Sequence, residues 1–165
     1  MGLWLAGREY SSAMASEAFV PAGFVPPTSL VTELFRLEPL GPQHNNADHA
    51  AWTSSIEHIR RTPGYPHGDW PPFNGMSLEA NVSDLRRHAA DFVAGKGFTF
   101  TVLDPGTATV LGCVYLYPTM SSQYDVTVRS WVRADKADLD TPLAEAVAEW
   151  LVAEWPWERV DRCGR

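Results

Sequence analysis

VLGCVYLYP (Val110–Pro118), MSSQ (Met120–Gln123), YDVTVRSWVR (Tyr124–Arg133), ADKADLDTP (Ala134–Pro142) and LAEAVAEWLVAEW (Leu143–Trp155) succeed one another in the last third of the chain. The first and third are apolar or β-branched runs of strand length, and the second is a polar turn between them. The fifth repeats its apolar residues at helical spacing, with Leu143, Val147, Trp150 and Leu151 on one stripe and Glu145 and Glu149 opposite. The block therefore reads strand, turn, strand, loop, helix. A strand that delivers a loop onto a helix N-terminus is a natural place to hold an anionic, phosphate-bearing ligand.

Working backwards, GFTFTVLD (Gly97–Asp104) is a strand that Pro105-Gly106 turn into Val110–Pro118. Ser77 caps a helix whose stripe is Leu78, Val82, Leu85, Ala89, Phe92 and Val93, with Gly95 just past its end. Before it lies TPGYPHGDWPPFNGM (Thr62–Met76), a loop dense in Pro, Gly and aromatics, of a length that is often functional. An earlier helix, capped by Asn45 or Asn46, carries Trp52, Ile56 and Ile59 and ends on Arg60 and Arg61 at its negative pole. Ser29–Leu40 is the first strand, closed by Pro39, and Trp157–Cys163 is the last. Residues 1–29 read as a flexible or loosely docked extension, with Phe19, Val20, Phe24 and Val25 available to pin it against the core or a second subunit. The order is β-α-α-β-β-β-α-β: an antiparallel meander, then a helical crossover giving one parallel pair. That is an α+β (mixed α/β) layer with helices on both faces.

Composition narrows the function. The 165 residues are 45% hydrophobic and 20% charged, which suits one globular domain over residues 30–165. A net charge of −7 with no basic run argues against sequence-independent nucleic-acid binding. No run approaches the ~20 apolar residues of a membrane span. The opening MGLWLAGREY is too short and too charged for a signal segment. Cys113 and Cys163 have neither metal nor disulfide spacing, so the expectation is a soluble, cytoplasmic protein without a metal.

The order resembles the GNAT acetyltransferases from their first strand to their fifth. TELFRLEPL followed by a helix is similar to the family's opening. VLGCVYLYP is similar to its third strand. SWVR followed by ADKADLDTPLAEAVAEWL resembles its fourth strand, pyrophosphate loop and third helix. The resemblance implies acyl transfer from acetyl-CoA, or another acyl-CoA, to the amine of a small molecule or peptide. In the family the fourth and fifth strands part to form a V-shaped cleft for the pantetheine arm, and the pyrophosphate rests on amides at the helix start. The positions implied for the cofactor here are Trp131, Val132, Arg133, Asp140, Thr141, Pro142 and Leu143. The loop departs from the family's R/Q-x-x-G-x-G/A. Ala137–Pro142 holds neither glycine nor arginine, Pro142 removes an amide, and Asp138 and Asp140 repel an anion. Thr141 is expected to cap the helix, with Pro142 at its first position. The last strands of the family, and the tyrosine in the helix before them, have no counterpart in the sequence.

Family bases sit on the fourth strand. Asp125 is the carboxylate there, sharing a face with Thr127 and Arg129, and is the expected general base. Tyr115 stands beside it as a catalytic candidate on the neighbouring strand, with Tyr117 on the same face. Tyr65, Trp70, Tyr117 and Arg129 are expected at the acceptor site, where aromatic faces suit an amine. His67 and Asp69 make no metal site alone, and Ser130 lacks a nucleophile-elbow context. Two other readings stay open. One is a GNAT-like ligand-binding or dimerisation module that has lost the phosphate loop. The other is a structural subunit whose sheet edge, near an exposed Trp155 and Trp157, is completed by another chain. A homodimer is expected, and it fits the acyltransferase and the ligand-binding module equally well.

Overall fold

A computed structural model describes residues 17–165; the opening of the extension and its MGLWLAGREY segment lie outside the described residues. Six strands form one sheet in sequence order: β1 Leu30–Val31, β2 Arg36–Pro39, β3 Phe98–Leu103, β4 Val110–Tyr117, β5 Val126–Val132 and β6 Val160–Asp161. Neighbours are antiparallel except β5 and β6, which run parallel across the crossover helix α4, Asp140–Glu154. The expected α+β layer with one parallel pair is what forms.

The first strand differs from its expectation. Ser29–Leu40 is a hairpin, because Thr32 donates its N–H to the Phe35 carbonyl and accepts the Phe35 amide on its hydroxyl. The first helix is also divided, into α1 Asn45–Thr53 and α2 Ile56–Arg61. Thr53 and Ser54 bond back to the carbonyls of His49 and Ala51, which loosens the last turn. Buried Ser55 then accepts the Ala134 amide at 2.9 Å, tying the break to the loop that follows β5. Neither Asn45 nor Asn46 caps α1. A 3-10 turn over Pro42–His44 leads straight into Asn45, closed by His44 Nδ1 accepting from the Gly41 amide.

Helix α3, Leu78–Ala94, starts and stops as its sequence says, with Ser77 accepting from the Ala80 amide and Gly95 left-handed at the end. Its buried face is rotated from the expected stripe. Leu78 is 46% and Val93 91% exposed, while Asn81, Leu85 and His88 turn inward. Asn81 explains the rotation, since it accepts from Trp52 Nε1 at 3.0 Å and donates to Asn45 and Asp48. Those bonds satisfy polar groups that would otherwise be buried at a cost of about 1–3 kcal/mol each.

Strand alternation sorts the core onto the two faces of the sheet. Phe98, Phe100, Val114, Leu116, Val126 and Val132 meet Leu143, Val147, Trp150 and Leu151 of α4. Cys113 and Trp131 meet Trp52, Ile59, Tyr65 and Leu85 below α1–α3. Trp155 and Trp157, expected at an exposed edge, are 6% and 8% exposed. They stack on each other at 4.9 Å and receive Phe98, Phe19 and Phe24. Trp157 Nε1 donates to the Phe19 carbonyl at 2.9 Å. Burying such large rings stabilises more here than presenting them to a partner would. Phe19, Val20 and Phe24 of the extension pack on the core, whereas Val25 is exposed.

Candidate functional site

Two hollows flank β5, one on each face of the sheet. The first is a cavity of about 740 Å³ under α3, rimmed by the loop between α2 and α3. Arg60 holds that loop by donating to the carbonyls of Pro71 (2.8 Å) and Gly68 (3.2 Å), with its guanidinium 3.9 Å over the Phe73 ring. The arginine expected to serve the helix dipole thus staples the rim. Trp70 is pinned among Trp52, Tyr65, Tyr115 and Trp131 at centroid distances of 5.6 to 6.2 Å. Tyr65, Trp70, Tyr115, Tyr117 and Arg129 all line this one cavity. Strand pairing brings Tyr115 opposite Arg129 and Tyr117 opposite Thr127.

The cavity also contains a polar cluster that the sequence reading passed over. His88 is buried on α3, with Nδ1 at 2.9 Å from the Tyr117 hydroxyl and 2.8 Å from Thr99 Oγ1. Tyr117 donates its own proton to Asp91 at 2.9 Å. With the imidazole proton on Nδ1, donated to the Tyr117 hydroxyl, Nε2 is an acceptor and faces Arg87 Nη2. Nε2 lies 3.6 Å from Asp84 Oδ2 and 3.4 Å from Arg87 Nη2. Interaction with His88, and then with Arg87, holds the Asp84 carboxyl down at about 2. Burial pushes the Tyr117 phenol up to about 12 and the Tyr115 and Tyr65 phenols well above their ordinary value. The sequence did hold a signal for this cluster: Asp84 and His88 are four apart on a helix, hence neighbours on one face. Tyr117 fits because position 97 is glycine, where any Cβ would stand 2.2 Å from the tyrosine ring.

The second hollow, about 350 Å³, lies on the α4 face and is lined by Val128, Ser130, Thr141, Val160, Arg162 and Arg165 among others. Strand β6 pairs with β5 only at Val126 and Thr127. Beyond that point the two diverge, and the Ser130 carbonyl turns into the groove, where Arg165 Nη2 donates to it at 3.2 Å. Arg165 also pairs with Asp140 at 2.5 and 2.9 Å.

Seven positions were expected around a cofactor here, and Thr141 is the one whose side chain lines the groove. Trp131 faces the opposite way, buried, and donates Nε1 to Tyr115 at 3.1 Å. Val132 and Leu143 are core residues of the α4 face. Arg133 pairs with Asp135, and Asp140 with Arg165. Thr141 does not cap α4, nor does Pro142 open it. Helix α4 begins at Asp140, directly after a 3-10 turn over Ala134–Leu139, and the Asp140 amide is already donated to Ala137. That continuity uses one of the amides that a free helix start offers to phosphate. Arg162 and Arg165, from the segment that follows β6 some 25 residues beyond Asp140, stand beside the same groove. Their distance in sequence hid them.

Asp125 lines neither hollow flanking β5. It belongs to a third one, at the start of β5 between the extension and the segment before β6. Its Oδ2 accepts the amides of Glu158 (3.1 Å) and Arg159 (2.8 Å), and its Oδ1 accepts Arg159 Nε and Nη2. The Arg159 guanidinium holds its carboxyl below the usual range, which makes it a poorer base. This carboxylate fastens β6 to β5.

No family model matches the sequence, and no curated protein matches it either. Solved structures do match the fold. The chain is similar to a ribosomal-protein-S5-alanine acetyltransferase from Vibrio fischeri (13% identity, TM-score 0.57, 76% of this chain and 67% of that one). It is similar to a GnaT-family acetyltransferase from Bordetella pertussis (14%, 0.54, 81% and 76%). It is also similar to the microcin C7 self-immunity acetyltransferase MccE, solved with acetyl-CoA and AMP (12%, 0.60, 77% and 66%). The chain has the GNAT fold.

Proposed function

We propose, from that fold, an acyl-CoA-dependent N-acyltransferase acting on an amine, with residues 30–165 as its single domain. One observation carries the proposal: β5 loses its neighbour after Thr127 and there separates an arginine-bearing groove from a polar, aromatic cavity. The acyl-CoA belongs in the groove. The Ser130 carbonyl is turned toward its pantetheine arm, and Arg162 and Arg165 supply the charge that the loop after β5 lacks. Arg165 would exchange Asp140 for a phosphate, and Pro142 with the 3-10 turn makes this cradle weaker than a glycine-rich one.

The amine belongs in the cavity. His88 Nε2 takes its proton, directly or through solvent, and the imidazolium that forms lies beside the ionised Asp84. The amine nitrogen then attacks the thioester carbonyl. The C–N bond forms as the C–S bond breaks, and the departing thiolate is protonated by solvent or by His88. This reading moves the base from Asp125 to His88.

Thermal denaturation with acetyl-CoA, free CoA and buffer tests the proposal. A cofactor at ~100 times its dissociation constant should add about 2.7 kcal/mol of stability. No shift at millimolar acetyl-CoA would sink the enzyme reading.

A further inference from the structure

Near β5 most arginines are spent, but Arg129 and Arg162 are in no ion pair among the described residues. Arg133 is paired with Asp135, Arg159 with Asp125 and Arg165 with Asp140. On α3, Arg87 is matched by Asp84 and Asp91. Arg129 has no acidic partner among the described residues, yet it lines the acceptor cavity from the middle of β5. Its stem lies beneath Gly64. A Cβ built on Gly64 would stand 3.0 Å from Arg129 Cγ and 3.1 Å from Cys163 Cβ, and Gly64 sits at φ +96, so the chain passes directly over the arginine there.

Two further groups in the same cavity lack partners. Tyr65 is 3% exposed, and its hydroxyl has no hydrogen-bond partner. A buried hydroxyl left unpaired costs about 1–3 kcal/mol, so such a group in the wall of a cavity points to a ligand that completes it. Asp69 lines the cavity too and is in no ion pair among the described residues. The charges without an ion-pair partner in this cavity are therefore one guanidinium and one carboxylate, both reached by solvent and set beside the aromatic wall of Trp70 and Tyr115.

We propose that the acceptor is a zwitterion, an amine that also carries a carboxylate, in the manner of an amino acid or short peptide. Arg129 and the Tyr65 hydroxyl bind the carboxylate, Asp69 attracts the ammonium group before it is deprotonated, and Trp70 and Tyr115 receive an apolar side chain. A guanidinium presents paired donors to a carboxylate, and the buried tyrosine gains the partner it lacks. This assignment rests on the transferase reading for what happens to the amine, but not for the binding itself.

Calorimetry without acyl-CoA tests it, using phenylalanine and glycyl-phenylalanine, each as free acid and as carboxamide. At least one acid should bind ~10-fold or more tighter than its carboxamide, the usual worth of a charge-assisted hydrogen bond. Arg129→Gln should collapse that preference to below ~3-fold. Tyr65→Phe should lower it as well, by weakening the acid more than the carboxamide. Equal binding of acid and carboxamide, persistence of the preference in R129Q, or no binding of either acid to folded protein would each overturn the proposal. The two readings fail separately. Acid-selective binding without acyl transfer rejects the transferase alone, and transfer to carboxamides as fast as to acids rejects the zwitterion alone.

Discussion

The cavity under α3 and the groove beside α4 share the strand β5 but are built from opposite materials. In the cavity the polar groups are bonded to one another before any ligand arrives: Thr99, His88, Tyr117 and Asp91 form one chain, with Asp84 and Arg87 at its end. In the groove the polar groups are bonded in place of a ligand, since Arg165 spans Asp140 and the Ser130 carbonyl. The first arrangement positions a proton acceptor at no cost during reaction. The second must be opened before a phosphate can use it. Acceptor chemistry is therefore expected to be preorganised here, with cofactor affinity as the weaker property.

The difference can be broken from the cavity side most severely. His88→Gln should lower kcat by ~100-fold or more, the usual contribution of a general base, with acyl-CoA affinity unchanged. Asp125→Asn should leave kcat within ~3-fold, well short of a base's contribution, and lower the melting temperature instead, because its bonds fasten β6. Steady-state kinetics on both variants decide between the two residues, and a larger kcat loss in D125N would restore Asp125 as the base.

From the groove side the expected effect is smaller. Arg165→Ala should weaken CoA binding by ~10-fold, about 1.4 kcal/mol, if the guanidinium turns to phosphate. Tighter binding by calorimetry would instead identify Arg165 as a plug.

The smallest effect sharpens the account of the cavity. Asp84 has its carboxyl lowered from 3.8 to about 2 in the folded chain. A lowered folded value means stability that is present above pH ~4 and lost as pH falls toward 2. After allowance for solvent screening of this partly exposed group, the contribution is about 1 kcal/mol. Acid unfolding of Asp84→Asn should show a shallower fall in stability across that window than the parent, and an unchanged slope would remove Asp84 from the His88 cluster.

Much of the fold was legible. The meander from Phe98 to Val132, the Ser77 cap, the apolar stripe of α4 and the parallel return strand follow from local patterns whose signals lie within a few residues of one another. The site was legible in part. Alternation along β4 and β5 put Tyr115, Tyr117 and Arg129 on one face, and the aromatic density of Thr62–Met76 marked the rim. His88 escaped although Asp84 stands four residues before it, because its meaning comes from Thr99 and Tyr117 on two strands and Asp91 on the next turn of α3. Asp125 was favoured for its place in the strand, and its neutralising partner Arg159 lies 34 residues away.

The sequence by itself determined the elements, their order, and the absence of glycine and arginine from the loop after β5. These are local properties, set by backbone sterics and side-chain periodicity. Only the tertiary structure decided which face of α3 turns inward, that Trp155 and Trp157 are buried, and which charges remain unpaired. Those outcomes depend on partners that packing brings together from distant segments, and a charge is free or spent according to its neighbours in space.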